Sequence, residues 1–221
     1  MSAAERQQRP GTTQNRALAT GTRKVPRAVR EPQMLETAGR IFAARGFHEA
    51  SMDEIAEAAG ISKPMLYSYF GSKEGLYFAF VDHAYGEIIA AIDAAVAEVV
   101  LAGGGAVEQI RAGVRAYYHY VGEKRSAFRV LFREMGDPGG QLAQPRRRLR
   151  RRVAVGIDSI LQEWNKSLGQ RANADALPEA FLGAARGLAD WWLDNPQCSA
   201  EEIAEQLMNL LLGGLRRIAQ A

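Results

Sequence analysis

From residue 31 onward, the apolar residues of this 221-residue chain recur with the period of a helix and almost nowhere with the alternation of a strand. Met34, Leu35, Ala38, Ile41 and Phe42 form a single stripe, and Gly46 stops it. Ser51 and Glu54 then have the spacing of a capping box, in which each side chain serves an orphan N–H of the other. Ile55, Ala56 and Ala59 give this second helix an inner face, and Gly60 ends it, because a tight turn commonly needs a positive φ that glycine adopts cheaply. Ser62 caps a third helix that ends near Phe70 and Gly71, with Pro64 in its first turn, where a missing N–H loses no bond. Ser72 opens a long helix carrying Leu76, Phe80, Val81, Ala84, Ile88, Ile92, Ala95 and Val99 roughly on one side as far as Gly103. Further helices are predicted over Val107 to Tyr120, Ser126 to Met135, Arg146 to Leu168, Leu177 to Leu193 and Ala200 to Ile218. The longest break between them runs from Gly136 to Pro145, and the fold class is all-α.

Two short capped helices about a glycine turn, braced by a first helix, make a helix-turn-helix. On a helical wheel Leu66 and Phe70 point inward, Pro64 and Ser68 lie nearly opposite, Met65 and Tyr67 flank them, and Lys63 stands at the N-terminal end. A lysine can donate to guanine O6 and N7 or to a phosphate, a proline can pack on a thymine methyl, and hydroxyls can bond phosphate oxygens. Paired short helices also occur in proteins that never meet DNA, so the detail of the sequence decides. The run from Ile55 to Leu76, IAEAAGISKPMLYSYFGSKEGL, closely resembles the signature of the tetracycline-repressor (TetR) family. The resemblance spans the first helix to the start of the fourth; the rest is similar in helical architecture only.

That resemblance implies a ligand-responsive transcription regulator, a repressor, that binds palindromic double-stranded operator DNA as a homodimer. It implies that Ser51, Tyr67 and Lys73 meet phosphates, that Lys63, Pro64 and Ser68 face bases, and that Leu66 and Phe70 are core. Ser62, Met65 and Tyr69 complete the candidate DNA-binding set. Two positions depart from the family pattern: Met52 replaces a common hydroxyl residue, and Asp53 stands where some members read bases. An acid there is a poor reader of DNA unaided, which leaves the second helix its backbone N–H groups for phosphates.

The expected organisation is a basic flexible arm over residues 1–30, a helix-turn-helix domain over 31–75 and a larger helical ligand-binding and dimerisation domain over 76–221. The arm carries seven basic residues against Glu5, so it holds +6 while the remainder holds −3 of the net +3. Such an arm either attracts a polyanion or is solvated disorder. The resemblance also implies that the larger domain binds a small molecule and dimerises through its last two helices. Ile203, Leu207, Leu210, Leu211, Leu215 and Ile218 suit a helix covered by a partner chain, and Gly183, Gly187, Gly213 and Gly214 permit close backbone approach. Candidate pocket residues are Tyr117, Tyr118, Tyr120, Phe128, Phe132, Trp164 and Phe181, although aromatic stripes are more often core. Six arginines between Arg146 and Arg152 need acidic company: Glu123, Glu134 or Asp137, DNA, an anionic ligand such as an acyl carboxylate or acyl-coenzyme A, or a solvated face. The effector is therefore apolar or anionic.

Other classes find little in the residues. One cysteine, Cys198, and three scattered histidines give no metal-ligand spacing and no disulfide, which fits a reducing cytoplasm. The most apolar stretch, Ile88 to Ala102, is interrupted by Asp93 and Glu98, so no membrane span is expected, and residues 1–30 lack the apolar region of a secretory signal. No nucleophile or carboxylate signature accompanies His48, His83 or His119, so no enzyme, cofactor or metal is expected. The rival reading is a helical ligand-binding or assembly protein that has kept the module without operator binding.

Overall fold

The computed structural model describes residues 26–125, 127–129, 143–163 and 176–220, and among these there is no strand. The predicted helix over Ser126 to Met135 and the break that follows it lie mostly outside the described residues, as do residues 1–25, Phe132 and Trp164.

Helix α1 spans Arg27–Glu49, α2 Met52–Ala58, α3 Lys63–Phe70 and α4 Lys73–Leu101. Helix α5 spans Ala106–Glu123, α6 Ala143–Glu163, α7 Ala176–Asp194 and α8 Ala200–Gln220. Three serines start the N-terminal helices: Ser51 Oγ accepts from Glu54 N at 3.1 Å, Ser62 Oγ from Met65 N at 3.4 Å and Ser72 Oγ from Gly75 N at 3.0 Å. The capping box of α2 is half made, because the Glu54 carboxylate is taken by Arg45 at 3.3 Å. Gly60 turns the chain between α2 and α3 at φ 65°, and Gly46 leaves the helix at φ 82°, ψ 160°.

One expectation is corrected at the start of α1. Residues 27–30, assigned to a flexible arm, form its first turn, with Pro26 O accepting from Val29 N at 3.0 Å and Arg30 N at 3.1 Å. Arg27 pairs with Glu31 at 3.0 Å four residues on. A helix held by a pre-set proline and an ion pair has no apolar stripe for periodicity to detect. Helix α6 likewise begins at Ala143, inside the predicted break.

Two apolar cores result, and α4 contributes to both. Met34, Leu35, Ala38 and Phe42 of α1 pack with Ile55, Leu66, Leu76, Tyr77, Phe80 and Val81 in the first. Ile88 of α4 belongs to the second, with Tyr118, Phe128, Ile157, Ile160, Ala189, Trp192, Ile203 and Leu207. Tyr85 packs against both. In the second core α5 lies between α4 and α8, while α6 touches α4, α5 and α7. At 29 residues, α4 is about 43 Å long and is the rigid rod between the cores. No helix among the described residues is long and apolar enough to cross a membrane.

Candidate nucleic-acid interface and buried cavity

The caps and the Gly60 turn leave α3 with one exposed face. Leu66 is completely buried and Phe70 half-buried, while Lys63, Pro64, Tyr67 and Ser68 are exposed. These four recur at i, i+1, i+4 and i+5, one side of a helix. The Ser68 hydroxyl donates to Met65 O at 2.7 Å, which leaves its oxygen as an acceptor. Ser51 and Ser62 are exposed beside this face, each already accepting the cap bond given above.

Met65, Tyr69 and Lys73 are engaged by residues outside α2 and α3. Met65 is half-buried beneath Arg30, whose Nη1 donates to Sδ at 3.5 Å. Tyr69 is half-buried with the Arg27 guanidinium 4.8 Å above its ring. The helical extension of α1 therefore sets two arginines along the flank of α3, which the sequence reading missed. Lys73 Nζ donates to His48 O at 2.9 Å and Ala50 O at 3.1 Å and stands 4.8 Å from the Phe47 ring centroid. Two of its three donors thus tie α4 to the α1–α2 connection.

Asp53 pairs with Lys63 at 2.8 Å. Hydrogen bonding and charge from Asp53 hold the Lys63 ammonium above its ordinary pKa. Neither partner is buried, with 47% of the lysine and 69% of the aspartate side chain exposed.

In the larger core a cavity of about 430 Å³ opens between α4, α5, α6 and α7. Tyr117, Phe128 and Phe181 line it, joined by Ile88, Ile92, Val96, Ile110, Leu149, Val153 and Leu182. Tyr118 does not: it is fully buried, its hydroxyl donating to Ala185 O at 3.1 Å and its ring edge-on to Trp192. Adjacent residues on a helix point about 100° apart, so the pair splits between core and cavity. Tyr120 also turns away, its hydroxyl donating to Glu87 at 2.5 Å. Burial pushes the Tyr117 phenol far up, so it remains a neutral donor at the cavity wall.

Arg146, Arg147, Arg150 and Arg152 of α6 and Arg186 of α7 also border the cavity. Glu134 and Asp137 lie outside the described residues; among those described, acids of α4 and α7 stand beside the arginine run. Arg148 pairs with Asp82, Arg152 with Asp93, and Arg150 with Glu179 at 3.0 Å. Packing of α6 across α4 and α7 brings these acids to the run. The result is an apolar chamber with a guanidinium-rich side.

Residues 34–80 match the family model described as bacterial regulatory proteins, tetR family, and residues 107–214 match a tetracyclin repressor-like C-terminal domain. The HTH-type transcriptional activator FasR of Mycolicibacterium smegmatis is 26% identical over 199 residues, covering 88% of this chain and 87% of that protein. A TetR-like transcriptional regulator from a Rhodococcus species superposes with a TM-score of 0.66 at 32% identity, covering 87% of this chain and 99% of its own. The regulator FadR from Bacillus subtilis, solved in complex with stearoyl-CoA, gives a TM-score of 0.71 at 15% identity over 83% of this chain and 98% of its own.

Proposed function

The chain belongs to the TetR family of bacterial DNA-binding transcriptional regulators, and on that footing we propose that it is a homodimeric repressor controlled by an effector with an apolar body and an anionic head. The observation that carries the reading is the position of α4, which contributes to the core behind the recognition helix and also to the wall of the arginine-bordered cavity. In this reading residues 31–75 grip the operator and residues 76–221 hold effector and partner, while the +6 of residues 1–30 adds attraction independent of base sequence. The regulator works in the cytoplasm, where its operator is.

Lys63, Pro64 and Ser68 face bases, and Ser51, Tyr67 and Lys73 meet phosphates, Lys73 through its third donor. One short recognition helix buries too little surface for specific affinity, so two half-sites about 34 Å apart are needed. The second copy docks on α7 and α8, where Trp191 and Leu210 are exposed and side chains added at Gly187, Gly213 or Gly214 would meet nothing. The cavity's aliphatic wall suits an acyl chain and its arginines suit a carboxylate or phosphate; the stearoyl-CoA held by the Bacillus subtilis FadR belongs to the same chemical class. Repression needs only occupancy of a promoter. Activation, which its name assigns to the mycobacterial FasR, needs in addition a surface for polymerase.

The test is a titration of the full chain with palmitoyl-CoA in the presence and absence of operator, after mass spectrometry of whatever copurifies. Linkage requires DNA to change ligand affinity by the factor by which ligand changes DNA affinity. Identical ligand affinities with and without DNA would refute effector control. Absence of salt-dependent DNA retardation would favour the ligand-binding protein without operator.

A further inference from the structure

The Asp53–Lys63 pair is poorly placed to stabilise the fold. Both side chains are about half-exposed or more, where an ion pair is screened by water. The helices it joins are already set by the Ser51 and Ser62 caps and the Gly60 turn. A carboxylate on a surface that meets phosphates is also repelled by the duplex. It is tolerated there if the duplex returns a hydrogen-bond donor, and the base-edge donors of the major groove are the amino groups of cytosine and adenine.

We infer that Asp53 and Lys63 act together as one reader of a single base pair, Lys63 donating to guanine O6 and N7 while Asp53 accepts from N4 of the paired cytosine. This rests on the reading of the exposed α3 face given under the proposed function. The ion pair presents a donor and an acceptor side by side, separated by 2.8 Å. Across the major-groove edge of a G·C pair, an acceptor and a donor stand side by side in the complementary order. Lys63 has donors to spare after its bond to Asp53, and Asp53 Oδ1 is left to accept. Reversing the pair to C·G sets ammonium against amino group and carboxylate against O6 and N7, so it is repelled at both ends. A T·A pair keeps the order of donor and acceptor but offers the lysine one acceptor instead of two, and its methyl group crowds the contact. The expected order is G·C, then T·A, then the two reversed pairs. Asp53 is thus a specificity-determining residue.

The experiment is selection of binding sites from randomised double-stranded DNA by the full chain as wild type, Lys63→Ala, Asp53→Ala and Asp53→Asn, with circular dichroism melting of each. Wild type should enrich a G·C pair at one dyad-related position in each half-site. Lys63→Ala and Asp53→Ala should both lose the preference at that position, with affinity for the best site falling roughly tenfold or more and affinity for other sites changing little. Asp53→Asn offers a donor as well as an acceptor and should shift the preference towards adenine on the strand that carried cytosine. If Asp53→Ala keeps the same enriched motif and loses affinity evenly across sequences, Asp53 only positions Lys63 and the paired reader is overturned. If Lys63→Ala also keeps the motif, the reading of the α3 face itself fails.

Discussion

Two glycines on α4 make opposite responses to the same substitution. A Cβ at Gly75 would stand 2.0 Å from Phe70 O, whereas one at Gly86 would meet nothing within 4 Å. Carbon and carbonyl oxygen rest about 3.3 Å apart at closest, so Gly75→Ala forces α3 and α4 apart by about 1.3 Å. The first turn of α4 cannot easily yield, because Gly75 N is held by Ser72 Oγ and Lys73 is tied to His48 O and Ala50 O. Overpacking of this kind costs about 1–3 kcal/mol, and the better helix propensity of alanine returns about 0.5–1, leaving a net loss of about 0–2.5 kcal/mol. Gly86→Ala has only the favourable part and should stabilise by about 0.5–1 kcal/mol. The displaced recognition helix should lose one contact per half-site at about 1 kcal/mol each, which over a dimer is a fall in operator affinity of roughly 30-fold. Urea unfolding and DNA retardation on both variants read the two effects. If Gly75→Ala is as stable as Gly86→Ala and binds operator like the wild type, the α3–α4 junction is not the rigid joint described above.

Tyr118→Phe should cost about 1 kcal/mol through loss of the buried bond to Ala185 O and leave palmitoyl-CoA affinity unchanged; a selective loss of ligand affinity would return Tyr118 to the cavity. Lys73→Ala should lower the magnitude of the salt slope of DNA binding by about one unit and also destabilise the module, because it removes two bonds to carbonyls; an unchanged slope removes Lys73 from the phosphate contacts. Hydrogen bonding and charge from Arg111, with Arg115, hold the Glu205 carboxyl below its ordinary 4.5, so its contribution is present above that pH and lost as pH falls through the depressed value. Glu205→Gln should therefore flatten the acid limb of a stability profile below pH 4.5, by no more than about 1 kcal/mol for so exposed a group. Asp93→Asn, which removes the carboxylate facing Arg152, should reduce the factor by which palmitoyl-CoA changes operator affinity while leaving operator affinity without ligand within threefold; an unaltered factor would take that ion pair out of the coupling.

What could be read from the sequence is what local chemistry dictates. Ser51, Ser62 and Ser72 cap because a short hydroxyl serves orphan N–H groups, and Gly60 turns because it lacks a Cβ; neither depends on distant residues. The early start of α1 was hidden because Arg27–Glu31 and Pro26 hold it without an apolar stripe. Long-range pairings were hidden for a different reason. Arg148 and Arg152 find Asp82 and Asp93 some sixty residues away, and no spacing rule connects them. Tyr117 and Tyr118 look alike in composition and period, and only the packing of α5 decides which one borders the cavity. The Asp53–Lys63 pair crosses the turn between α2 and α3, so the partner of an acid that looked misplaced for DNA binding was visible only in the fold.

The ion pairs on α4 give the coupling between cavity and operator a physical form. Asp82 and Asp93 are eleven residues apart, close to three helical turns, and therefore lie on one face of α4. Arg148 and Arg152 are four apart, which places them on one face of α6. Two helices are thus tied at two points along their length, which resists rotation as well as separation. Arg152 borders the cavity itself, as do Arg147 and Arg150 on either side of Arg148 and Leu149. A guanidinium has five donors, so an anion entering the cavity need not expel Asp93 to weaken its hold; it need only draw the arginine toward itself. Each exposed pair is worth about 0–1 kcal/mol, and two of them fall at the lower end of the 1–3 kcal/mol typical of allosteric coupling. Weakening both would free α4 to tilt about the core formed with α1, and a tilt at that end moves α3 directly, since Gly75 allows no slack at the junction. On the proposed function, an anion drawn to the arginine run would act by loosening the acids that hold α4.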